Sequence, residues 1–163
     1  MTIRPAAADD IPQISRMMAA SWKAGYRGIL PDAYLETLSD DRWVGLIDAL
    51  PEVEVLVLLD GFEVIGAASL SPAREAAFAG WGELVSLYIL PRYFDRGTGV
   101  PLLEAAETAL LVRGFREAYL WVLADNHRAR HFYERQGWHL QGDRLTEEIG
   151  GISFTCLRYV RTL

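Results

Sequence analysis

The sequence predicts an α/β protein, a sandwich of helices around a mixed central sheet. Three observations predict it. Apolar runs of strand length alternate with stretches of helical periodicity along the whole chain, the pattern of layers that cover a sheet. Asp60-Gly61 stands between two such runs as a hairpin turn signal. The run Leu84-Val85-Ser86-Leu87-Tyr88-Ile89-Leu90 breaks at Pro91 and leads through a glycine-containing loop directly into an amphipathic helix.

Taken in order, Thr2–Pro5 reads as a short strand. Asp9 or Asp10 then caps a helix whose apolar positions Ile11, Ile14, Met17, Met18 and Trp22 keep helical spacing, and Gly25 and Gly28 punctuate its end. A second helical region covers roughly Asp32 to Leu50, interrupted near Ser39-Asp40, with Trp43, Leu46, Ile47 and Leu50 facing inward. Val53–Leu59 and Val64–Leu70 are the hairpin strands, and Ser71–Gly80 is a loop rich in small residues. The helix after the glycine loop presents Leu102, Leu103, Ala106, Ala109, Leu110 and Val112 on one face. Pro101 fits its first turn, where N–H groups lack intrahelical partners, so the helix is expected to begin at the glycines. Ala118–Leu123 is a buried strand, and Asp125 or Asn126 caps a helix over 126–136 that Gly137 stops. His139–Gln141 and Ile152–Val160 form a terminal antiparallel pair. No repeat, low-complexity tract or linker divides the chain, and a single domain over 1–163 is expected.

Composition narrows the function classes. With 51% hydrophobic and 23% charged residues the chain has ordinary globular usage, and 163 residues can bury a sizeable core. A net charge of −6 argues against a nucleic-acid binder and leaves room for a cationic amine as partner. The one cysteine, Cys156, lies in an alternating stretch and is expected to be buried as a small apolar residue, so no internal disulfide forms. The N-terminal residues lack an apolar signal core, and no apolar run reaches the roughly 20 residues of a membrane helix. A cytoplasmic protein without a membrane partner is the expectation.

Phe94-Asp95-Arg96-Gly97-Thr98-Gly99 carries the clearest chemical signal. Two glycines between a strand and a helix remove Cβ atoms where the backbone approaches a ligand, and the first helical N–H groups point at it with the positive end of the macrodipole. The ligand that suits such a place is a phosphate. A Walker A loop is excluded because no lysine is near, and a dinucleotide fingerprint because Leu102 stands where its third glycine belongs. The segment resembles the Arg/Gln-x-x-Gly-x-Gly/Ala loop of the GCN5-related N-acetyltransferases (GNAT), which cradles the pyrophosphate of acetyl-coenzyme A. Phe94 departs from that pattern, where Arg or Gln is commonest; a loop working through backbone donors tolerates the change.

The resemblance implies the family's fold, a mostly antiparallel sheet splayed at the cofactor site, and a set of site residues. Leu87, Tyr88 and Ile89 line the coenzyme on the strand side, with a backbone N–H of Tyr88 or Ile89 as the oxyanion donor. Residues 118–138 look like the family's second coenzyme-contacting segment: Asn126 hydrogen-bonds the pantetheine arm, Ala129 and Phe132 pack beside it, and Tyr133 is the acid for the departing thiolate. An unperturbed phenol, with a pKa near 10, matches a thiol leaving group. Glu83 lies fourteen residues before Gly97, the spacing of the general base in the histone-acetyltransferase branch, and would act directly or through a water.

Ser21-Trp22-Lys23-Ala24-Gly25-Tyr26-Arg27-Gly28 resembles a stretch recurring in a bacterial subset of the family, on the acceptor side of the cleft. Trp22 and Tyr26 are therefore the expected substrate-pocket walls, suited to an amine by cation–π contact. Trp43, Trp81, Trp121 and Trp138 are assigned to packing. His127 and His131 have i, i+4 spacing but no acidic or cysteine partner for a metal, and no Gly-x-Ser-x-Gly marks a hydrolase. The implied activity is N-acetyl transfer from acetyl-CoA to a small primary amine, without a metal. The alternatives are acetylation of a peptide N-terminus and a catalytically silent acyl-CoA-binding module; a homodimer is a possible assembly.

Overall fold

The computed structural model describes residues 1–49 and 52–163. Among them, seven strands form one sheet in the order β1 (Thr2–Pro5), β2 (Glu54–Asp60), β3 (Glu63–Pro72), β4 (Gly82–Ile89), β5 (Glu117–Leu123), β7 (Ile152–Thr162) and β6 (His139–Ile149). Only β4 and β5 run parallel; every other neighbouring pair is antiparallel. The helices are α1 (Ile11–Gly25), α2 (Asp32–Glu36), α3 (Val44–Asp48), α4 (Gly99–Val112) and α5 (His127–Arg135).

The sheet is covered on both faces, and the strand sequences show why. Along β2, Leu56 and Leu58 pack with Leu102, Leu103, Ala106 and Leu110 of α4, while Val57 and Leu59 pack with Ile14 and Met17 of α1. A strand buried on both sides must be apolar at consecutive positions rather than at alternate ones. The third cluster, around Leu30, Leu35, Leu38, Leu123 and Cys156, lies beneath Trp22 and Tyr26. No helix among the described residues is long and apolar enough to cross a membrane.

Several local expectations are corrected. Asp10 precedes α1, but its side chain does not cap that helix. It accepts the Ala7 N–H at 2.7 Å and two bonds from Arg4, closing the 3-10 turn Ala8–Asp10 instead. The second helical region resolves into two short helices, α2 and α3. One turn of helix cannot keep a face inward, and Leu46 is 51% exposed while Ile47 and Trp43 are half-buried; Leu50 lies outside the described residues. Val112, at the last turn of α4, is exposed rather than part of its apolar face.

The loop after β3 is shorter than expected, because the strand continues through Pro72 and Ala76–Phe78 form a 3-10 turn. The largest difference is at the C-terminus. The β6 strand runs from His139 to Ile149 and turns through Gly150 and Gly151, at φ 61° and 78°, into β7. Its residues are almost all exposed, so they carry no burial pattern for periodicity to detect. Trp138 and Cys156 are buried as expected, at 1% and 3% exposure.

Candidate active site

The site exists because β4 and β5 part company. They are paired only at Gly82 with Ala118 and Glu83 with Tyr119, after which the two strands diverge. On its other side β4 stays bonded to β3, and the Leu90 N–H donates to the Ile65 carbonyl at 2.8 Å. Strand amides alternate sides, so the N–H groups of Tyr88 and Leu90 serve β3 while those of Leu87 and Ile89 face the opening. A cleft of about 590 Å³ follows, walled by the diverging strands, the glycine loop, the first turns of α5 and the end of α1.

The glycine loop enters the cleft at its wide end. After the 3-10 turn Pro91–Tyr93, Asp95 takes φ 58° and Gly97 φ 73°, and α4 begins at Gly99. Gly97 needs its left-handed backbone. Gly99 is needed for space: a Cβ there would sit 3.3 Å from the Phe132 ring of α5. In the first turn of α4 Pro101 carries no N–H and the Val100 N–H donates to the Gly97 carbonyl at 3.0 Å, so the amides left for an anion are those of Gly99 and the loop before it. The Arg128 guanidinium lies over the Phe94 ring, 3.8 Å from its centroid, and a Cβ on Gly25 would be 2.9 Å from its terminal nitrogen. Arg128 makes no ion pair among the described residues. It brings a cation to the position where the family pattern carries Arg or Gln and this chain carries Phe94, a relation between distant segments that sequence spacing cannot reveal.

Asn126 caps α5, its side-chain oxygen accepting the Ala129 N–H at 3.2 Å. That places Phe132 and Tyr133 on the helix face toward the cleft. The Tyr133 ring meets Phe132 and Trp138 edge-on, at 5.2 and 6.1 Å between centroids. Burial, and then the neighbouring Tyr88, push its phenol well above the ordinary value, so it stays protonated.

All but one of the expected cofactor-side residues line this cleft: Leu87, Tyr88, Ile89, Phe94, Asp95, Gly97, Thr98, Gly99, Asn126, Ala129 and Phe132. The exception is Arg96, which is exposed and does not line the wall. Glu83, Tyr133, Trp22 and Tyr26 also line it.

Glu83 is buried, at 3% exposure, and its carboxylate is already engaged. It accepts from the Arg74 backbone N–H at 3.2 Å, from Arg74 Nε at 3.0 Å and Nη2 at 2.6 Å, and from the Tyr119 hydroxyl at 2.8 Å. A carboxylate offers about four acceptor sites, so little of this one is left for an incoming proton. These bonds pin the 73–81 loop to the sheet, and a Glu83 acting as base, directly or through a water, would have to share its carboxylate with them. Arg158 does the same nearby, buried against Phe78, Tyr119 and Trp121 and paired with Glu75 and Asp143.

The opposite end of the cleft is aromatic. Trp22 lies 4.7 Å from Tyr26, edge-on, and 6.2 Å from Tyr88. The buried Trp22 indole N–H has no hydrogen-bond partner among the described residues. Burial drives the phenols of Tyr26 and Tyr88 upward. Glu147 of β6 joins this end, from a strand that the sequence reading did not extend so far. His127 and His131 are exposed, and no group of three metal-ligating side chains occurs among the described residues.

Comparison with known proteins agrees with this geometry. The model of the Acetyltransferase (GNAT) family matches residues 16–138. The uncharacterized N-acetyltransferase YuaI of Bacillus subtilis is 32% identical over 130 residues, 77% of this chain and 73% of that protein. The spermidine N(1)-acetyltransferase of Thermoplasma acidophilum is 24% identical over 147 residues, 85% of this chain and 88% of its own. The crystal structure of a PaiA N-acetyltransferase from Thermoplasma acidophilum in complex with coenzyme A covers 100% of both chains, with a TM-score of 0.75 and 23% identity.

Proposed function

Because the chain belongs to the acetyltransferase (GNAT) family, we propose that it moves an acetyl group from acetyl-CoA to a primary amine of a small molecule, directly, with both substrates bound at once. The observation that carries the reading is the parting of β4 from β5 beside the glycine loop. It leaves strand amides unpaired along one wall, and the glycine loop with the Gly99 amide at the end of it. That arrangement fits an extended, amide-bearing chain that ends in a pyrophosphate.

Acetyl-CoA supplies the thioester carbonyl and the thiolate leaving group. The chain's residues divide the remaining work. The Leu87 and Ile89 N–H groups bind the extended arm and the carbonyl oxygen; of the two oxyanion candidates, strand alternation favours Ile89 over Tyr88. Asn126 and Phe132 orient the arm, and Arg128 with the glycine-loop and Gly99 amides neutralises phosphate charge. Tyr133 gives its hydroxyl proton to the sulfur as the C–S bond breaks, and the protons that the acceptor nitrogen sheds in forming the C–N bond pass through water, one returning to the phenolate and the other to solvent. The phenol's raised affinity for its proton does not forbid donation, since burial in the same cleft raises the basicity of a thiolate as well. The Tyr133 hydroxyl, on the wall of the cleft and without a hydrogen-bond partner among the described residues, favours catalysis over a silent binding module.

The first test is a melting-temperature shift with acetyl-CoA and with free coenzyme A, alongside Gly97→Glu. At a hundred times the dissociation constant, one-site linkage amounts to about 2.7 kcal/mol, or roughly 5–10 °C for a domain of this size. The expected result is a shift of that order, abolished by Gly97→Glu. Absence of any shift at millimolar ligand removes acetyl-CoA, and the reading with it.

A further inference from the structure

We propose that Glu147 receives the cationic amino group of the acceptor, and so selects primary amines that carry no carboxylate beside the nitrogen. The inference rests on the acetyl-transfer reading and goes beyond it by naming a specificity-determining residue. Glu147 pairs with Phe154 across the β6–β7 hairpin, and Leu145 pairs with Cys156. Side chains of directly paired residues share a face, so Leu145, Glu147 and Ile149 of β6 stand with Phe154 and Cys156 of β7. Cys156 and Phe154 pack in the cluster that holds Trp22 and Tyr26, which fixes this face as the acceptor end of the cleft.

Among the side chains gathered there, Glu147 is the carboxylate, set against Trp22, Tyr26 and Tyr88. Burial raises the Tyr88 phenol and the Cys156 thiol, the latter to about 12, and the Glu147 carboxylate adds to both. No cation answers it. Glu147 makes no ion pair among the described residues, and the polar side chain it meets is the neutral Cys156 thiol across the hairpin. The nearby arginines are engaged elsewhere, Arg74 with Glu83 and Arg158 with Glu75 and Asp143, while Arg128 lies on Phe94. An uncompensated carboxylate beside electron-rich rings attracts an alkylammonium twice, by ion pairing and by cation–π contact. It repels an α-amino acid, whose own carboxylate would arrive with the amine.

The test uses matched acceptors: 2-phenylethylamine against phenylalanine, and n-butylamine against norvaline, with thiol release from acetyl-CoA as the readout. The wild-type protein is expected to favour the amine of each pair. Glu147→Gln should raise KM for the amine at least about tenfold with a smaller change in kcat, shrinking the preference. Glu147→Lys should reverse it. An unchanged acetyl-CoA melting shift in both variants shows that the fold and the donor side are intact. Retained release with the same preference in Glu147→Gln overturns the inference and leaves acetyl transfer standing. Absence of release with every acceptor, in a wild-type protein that binds acetyl-CoA, overturns the transferase reading and this inference together.

Discussion

Tyr133 and Arg128 sit five residues apart on one helix and differ in how visible they are. Tyr133 stands out in the sequence because an apolar strand, an Asn cap and a helical face lead up to it. Arg128 is one basic residue among several on α5, and its importance comes from the Phe94 ring it covers, which belongs to another segment. Tyr133→Phe is expected to lower kcat about a hundredfold or more, the scale of a lost general acid, while the dissociation constant for acetyl-CoA stays the same. Isothermal titration beside steady-state kinetics separates the two effects. Arg128→Ala is expected to do the reverse, weakening acetyl-CoA about tenfold with little change in kcat at saturation, as suits one charge-assisted contact to phosphate. Glu83 marks the limit of spacing arguments. Its distance from Gly97 matched a base, but the donors that occupy it come from Arg74 and Tyr119, and only folding brings them there.

The elements around the cleft were legible in proportion to how strongly they are patterned by burial. The β4 strand, the glycine loop, α4, β5 and α5 each carry an apolar stripe or a turn residue, and each is found where the sequence places it. The β6 strand carries no apolar stripe, its residues being almost all exposed, so the sequence marks only His139–Gln141 of it and misses Glu147. Asn126→Ala tests how far α5 depends on its cap. The loss of the bond to the Ala129 N–H is expected to cost about 1 kcal/mol, seen as a fall of roughly 2–4 °C in Tm, and to weaken acetyl-CoA binding as the first turn frays. Gly99→Val probes the packing of α4 on α5. Its branched side chain must enter space already held by Phe132, and the expected outcome is a loss of cofactor binding larger than the loss of Tm.

Across the whole molecule, ion pairs tie the periphery to the sheet and set its response to acid. The Arg4 guanidinium, with the Ala7 N–H, holds the Asp10 carboxyl below its ordinary range, and Arg158 does the same for Glu75. A carboxylate whose folded pKa is depressed contributes stability that is complete above the unfolded value, near 4, and is lost as pH falls through the folded one. Melting temperature is therefore expected to be level down to about pH 5 and to drop below it. Asp10→Asn should start lower at pH 7 and fall less steeply, and an identical slope in the variant would falsify this assignment. Length, composition and periodicity by themselves determined the α/β class, the order of most strands and helices and the glycine loop, while the donor-side roles were implied only by the family resemblance. Class, element order and loop follow from local backbone preference and from burial, and both are written along the chain. Tertiary structure alone decided where β4 leaves β5, that Arg128 covers Phe94, that Glu83 is bonded to Arg74, and that Glu147 faces the aromatic end of the cleft. Each of those is a contact between segments far apart in sequence, set by packing of the whole sheet and carried by no local pattern.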